Sequence, residues 1–140
     1  MHDLVLVLHS WVRWAAIVTG VLATVTALGS AKSNRWAAFF TISLDVQFLL
    51  GVILLLTLNV FSDFGATMRD PIARFYAVEH ETIMIVAIAL AHVGRVRARK
   101  AATPAAARTQ SLIFFGLATI LLLVGTPWPG MRDSRPLFRL

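Results

Sequence analysis

The sequence contains no cysteine. That absence excludes disulfides, thiolate metal sites, iron–sulfur clusters and covalently attached c-type haem. Charge is scarce too. Only 14% of the 140 residues are charged, against 58% hydrophobic, and mean hydropathy is +0.76. Soluble domains carry about 25% charged and about 45–50% apolar residues, so this composition marks an integral membrane protein. There is no Gly-rich phosphate loop, nucleophile elbow, HExxH spacing or glycosidase-like carboxylate pair, which leaves no hydrolase chemistry. The net charge is +6. The basic residues sit mostly in connections and tail, where orientation and lipid headgroups account for them, so no nucleic-acid partner is expected.

What is present is four apolar runs: about 4–28, 36–60, 71–94 and 104–126. Each exceeds or approaches the roughly 20 residues that cross about 30 Å of hydrocarbon. Asp3 is the expected N-cap of the first run and Gly29 its stop. Ser33 and Asn34 precede the second. Asp70-Pro71 and Thr103-Pro104 open the third and fourth, each a cap residue followed by proline at the first helical position. The connections are short, which favours antiparallel neighbours. The expected architecture is all-α: one integral membrane domain over residues 1–140, an up-down-up-down four-helix bundle.

Residues 1–30 are not expected to be a cleaved signal. Met1-His2-Asp3 carries no Lys or Arg, and His9 and Arg13 interrupt the apolar stretch. The connections between runs 1 and 2 and between 3 and 4 hold seven cations: Lys32, Arg35, Arg95, Arg97, Arg99, Lys100 and Arg108. Arg69, Arg74, Arg132, Arg135 and Arg139 lie on the other side, mixed with Asp3, Asp63, Asp70 and Asp133. The positive-inside rule then puts both termini outside a bacterial inner (cytoplasmic) membrane. Trp11, Trp14, Trp36 and Trp128 fall near span ends, where aromatic belts form.

Ionisable residues inside spans are rare and face a bundle interior or cavity. Here they are His9, Arg13, Asp45, Glu79, His80, Glu81 and His92, joined by the uncharged Gln47. At about 1.5 Å per residue, His9 lies about 8 Å into run 1 and His80 about 13 Å into run 3. Both therefore fall in the same outer half. Glu79 and Glu81 flank His80 on different faces, so one of them is expected to point inward with it. His92 lies about 18 Å beyond His80 and is turned about 120° from it, so the two cannot share a metal ion. Asp45 and Gln47 lie about 14–17 Å into run 2 and face roughly opposite directions.

Several chemistries suit these residues. His9 and His80 on different helices at similar depth could be the two axial ligands of a b-type haem, with Arg13 and Arg74 as candidate partners for its propionates. Gly20, Gly51 and Ala77 would permit close approach. With only His9, His80 and His92 in the spans, one haem is the limit. Alternatively, His9, Arg13 and a glutamate form a buried hydrogen-bond network that fixes helix register, with an Arg13–Glu81 salt bridge. A quinone pocket, or a divalent metal on His9, His80 and a glutamate, are further options.

Three stretches, LHSWVRW, DVQFLLGVILL and RFYAVEHETIMIVAIALAHVGR, resemble a group of small bacterial four-helix membrane proteins of the cytochrome b-like type. The resemblance spans most of the chain. It implies haem b, redox partnership, and ligand roles for His9 and His80. The inner histidine pair of a two-haem path is missing. The expected function is electron transfer by a small membrane haem b protein, to or from a quinone or a larger redox complex, as a carrier or subunit rather than a stand-alone enzyme. The alternative is a non-catalytic accessory subunit of a respiratory or photosynthetic complex.

Overall fold

A computed structural model describes residues 2–30, 34–58, 60–130, 136 and 138. Lys32, Ser33, Arg132, Asp133, Arg135 and Arg139, used above for capping and orientation, lie outside the described residues. All regular secondary structure among the described residues is helical. Its elements are α1 (His2–Ser30), α2 (Arg35–Thr57), a short α3 (Phe64–Arg69), α4 (Pro71–Lys100) and α5 (Pro104–Gly125). Helices α1, α2, α4 and α5 are long and apolar enough to cross a membrane.

The caps explain most boundaries. The Asn34 side chain accepts from the backbone N–H groups of Trp36 and Ala37, satisfying donors that a helix start leaves open. Its amide also donates to the Ala23 carbonyl at 2.7 Å, and Thr26 donates to its Oδ1. One residue thus starts α2 and ties it to the end of α1. Asp70 caps α4 through Ile72 and Ala73, and Thr103 caps α5 through Ala106, each followed by proline. Asp3 is not a cap: α1 already begins at His2, which places Asp3 within the first turn. Helix α4 does not stop at Gly94 but continues to Lys100. Gly94 serves packing instead, since a Cβ there would run into Phe114. Helix α3 is too short to show as an apolar run; Asp63 starts it by accepting from the Ala66 N–H.

One break occurs inside α4. Phe75–Glu79 forms a π-helical turn, closed by the His80 N–H on the Phe75 carbonyl. Such turns insert one residue and rotate the rest of the helix, and they are frequent at functional sites. This one ends at His80.

Helix α1 packs on α2 and α5, and α4 on α5 and α2. The centre holds Phe40 and Phe115, edge to face at 6.4 Å, with Leu44 and Leu122. Alanines 16, 23, 91 and 118 are fully or almost fully buried around them. Gly20 faces the same core: a Cβ there would lie 2.7 Å from Thr119 Oγ1 and 2.8 Å from Phe40 Cε2. In lipid, helices associate through such close van der Waals packing at small residues rather than through the hydrophobic effect. The outer surface is apolar, with Val18, Val25, Ile42, Leu49, Ile85, Ile113 and Ile120 exposed. That surface suits contact with lipid tails. Trp14 and Trp128 stand against each other at 6.0 Å and border the core, whereas Trp11 is exposed.

Candidate functional site

His9 and His80 meet. Their ring centroids are 6.4 Å apart and the ring planes are inclined at 64°. Each ring is positioned differently. His80 Nδ1 lies 2.8 Å from the carbonyl oxygen of Gly125. A carbonyl only accepts, so Nδ1 carries the proton and Nε2 keeps its lone pair. Gly125 ends α5, so this acceptor is one of the carbonyls that a helix terminus leaves without an intrahelical donor. A side chain at 125 would collide with Met84 and come within 2.8 Å of Ile83 Cγ2. Glycine therefore lets α4 approach α5 closely enough for the bond to form.

His9 is seated against α2 at Gly51, where a Cβ would lie 3.4 Å from His9 Cε1. His9 Nδ1 is buried and makes no hydrogen bond.

Beside the two rings is a cavity of about 160 Å³. Leu6, Leu54, Leu55 and Leu122 supply aliphatic wall, and Arg13, Gln47, Tyr76 and Glu81 supply polar groups. The Tyr76 ring lies 6.4 Å from His80, and the Phe75 ring 5.9 Å from it. The Arg13 guanidinium lies over the Trp14 ring and reaches Ser10 Oγ at 3.5 Å.

The two glutamates part company. Glu79 accepts from Arg74 Nε at 3.1 Å in a part-exposed ion pair. Neither residue is among those lining the cavity. Glu81 does line it, and among the described residues it forms no hydrogen bond or ion pair. The Arg13–Glu81 salt bridge is therefore not formed. Nor do the described residues gather three or more His, Asp or Glu side chains around a metal position.

Asp45 and His92 are brought together away from this cavity. His92 Nε2 meets Asp45 Oδ1 at 2.8 Å, bridging α2 and α4, with both side chains about half exposed. Gln47, two residues on, is buried and faces the cavity, its Oε1 without a hydrogen-bond partner. Arg95 adds a second α4–α2 tie by donating to Thr41 Oγ1 at 3.2 Å.

Sequence reasoning passes over Tyr76, Met84, Leu122 and Thr126, which also border the cavity. Tyr76 carries a signal: it is the chain's single tyrosine, four residues before His80 and so on its face of the helix. Comparison of the chain with family models, with curated proteins and with solved structures finds no match.

Proposed function

We propose that the chain is a small haem b protein of the bacterial inner membrane, carrying electrons to or from a quinone or a larger redox complex. Its four long helices would form an up-down-up-down bundle, with the basic end cytoplasmic and both termini outside. The observation that carries this is the His9–His80 separation. A metal–imidazole bond of about 2.0 Å, plus about 1.1 Å from nitrogen to ring centre, would set two imidazole rings facing each other across one metal ion about 6.2 Å apart, centroid to centroid. The pair stands at 6.4 Å.

The hydrogen bond behind His80 supports the same reading. A ligating histidine donates its other ring N–H to a carbonyl or carboxylate, which fixes tautomer and orientation. His80 does this toward Gly125. His9 and His80 would hold the iron, and Arg13 at the cavity wall would pair with a propionate. A haem so held supplies a one-electron couple. Arg74, bound to Glu79, has a weaker claim to a propionate. A porphyrin is larger than the 160 Å³ cavity, so loading requires its aliphatic walls to part. The test is haem content after haem-replete expression. One haem per chain by pyridine haemochrome is expected, and a colourless, folded preparation would sink the proposal.

A second reading draws on the cavity volume. A site of about 150 Å³ is known to hold a six-membered ring, so a quinone headgroup fits at its present size. The Gln47 amide N–H would donate to a quinone carbonyl, and Gln47 Oε1 or the Glu81 carboxylate would accept from the hydroxyls of the quinol. Quinone retained by haem-free protein would favour this reading. Co-purification with large cofactor-bearing subunits would instead favour an accessory subunit.

A further inference from the structure

The end of the chain opposite the histidine pair is electrostatically one-sided. Segments 27–44 and 88–112 contain seven Lys or Arg residues and no Asp or Glu. Among the described residues the only acid near this end is Asp45, and it is bonded to His92. No described acid is left to balance these cations, which favours a counter-charge from another molecule. The fold also provides a place for it. A cavity of about 100 Å³ lies where α2 begins and α4 ends, with Asn34, Arg95 and Arg99 at its edge and Ala37, Ala98 and Phe115 as apolar wall.

The two arginines are differently committed. Arg95 spends one donor on Thr41 Oγ1, which anchors its side chain and leaves its other N–H groups. Arg99 makes no hydrogen bond or ion pair among the described residues. The pair are four residues apart on one helix face. A planar guanidinium matches phosphate oxygens with two parallel N–H bonds. The geometry points to a binding site for a phosphate group here: the headgroup phosphate of an anionic phospholipid, its glycerol end against the apolar wall. Cationic pockets between helices at the end of a span have this make-up.

The test uses the full chain purified in detergent and titrated with phosphatidylglycerol, phosphatidylcholine and inorganic phosphate, read by native mass spectrometry. The wild type should retain phosphatidylglycerol in preference to phosphatidylcholine. Arg99→Gln, which removes no internal bond, should weaken that retention about tenfold, the worth of one charge-assisted hydrogen bond. Arg95→Gln with Arg99→Gln should abolish the preference. Arg97→Gln with Arg108→Gln removes equal charge outside the cavity and should leave the preference in place. Displacement of the lipid by millimolar phosphate, lost in the Arg99→Gln variant, would assign the site to a free phosphate anion. No displacement assigns it to the lipid. Equal losses in the two double variants, or no preference for the anionic lipid in the wild type, would overturn the proposal.

Discussion

His80 donates its Nδ1 proton to the Gly125 carbonyl at 2.8 Å, and this bond decides which nitrogen of His80 faces the cavity. The acceptor is a backbone atom, so it can be removed only by moving α5. Gly125→Ala does that, because its Cβ would collide with Met84 and crowd Ile83. Disturbing such a hydrogen-bond partner of a ligand costs about 10–100-fold in metal affinity. We expect Gly125→Ala to fold and to lose haem in competition with apomyoglobin at least tenfold faster than wild type. Unchanged retention would separate the Gly125 bond from ligand positioning.

Gly51 makes a matching prediction on the other ring. An alanine Cβ at 3.4 Å from His9 Cε1 is tight but tolerable, whereas a leucine must displace the ring. Gly51→Ala should keep haem with a shifted Soret maximum, and Gly51→Leu should lose it. Circular dichroism would verify that both retain their helices.

The two glutamates should behave oppositely. The Glu79–Arg74 pair is part-exposed, so Glu79→Gln should change thermal stability by less than about 1 kcal/mol and leave the site intact. Glu81 faces the cavity without a partner among the described residues. Glu81→Gln should alter ligand spectra or quinone retention while leaving stability near wild type. Equal effects at 79 and 81 would contradict the assignment of Glu81 alone to the cavity.

Asp45 and His92 are expected to be structural glue between α2 and α4. A double-mutant cycle with Asp45→Leu and His92→Leu should return a coupling near the average of about 0.6 kcal/mol for hydrogen bonds between membrane helices. Asp45→Asn, which keeps an acceptor oxygen, should cost less than Asp45→Leu. Coupling near zero in unfolding titrations would remove the bond at 2.8 Å from the stability account.

Packing at Gly20 is independent of any ligand. Gly20→Ala places a Cβ 2.7 Å from Thr119 Oγ1 and 2.8 Å from Phe40 Cε2. Overpacking of this kind costs about 1–3 kcal/mol. A lowered unfolding midpoint with an unaltered haem spectrum is the expected result.

The helices are legible in the sequence because long, mainly apolar runs and the Asp70-Pro71 and Thr103-Pro104 signals sit in side chains. Gly94 misleads about the end of α4 because a glycine at a packing contact reads like a glycine at a stop. The approach of His9 to His80 is legible from rise per residue. The tautomer of His80 is not, since Gly125 contributes a carbonyl that every residue has. The π turn over Phe75–Glu79 leaves no periodic trace, because one inserted residue is lost within the apolar pattern. Asp45 and His92 are each located by depth, but their bond depends on cross-helix register, which one sequence does not encode locally.

The most direct test of the haem site is the reduced-minus-oxidised spectrum of purified protein from haem-replete cells, wild type beside His9→Ala, His80→Ala and His92→Ala. Soret and alpha bands should appear in the wild type and His92→Ala, and be lost in both others. Bands that survive in His9→Ala or His80→Ala, or vanish only in His92→Ala, would contradict axial ligation by the pair that stands 6.4 Å apart.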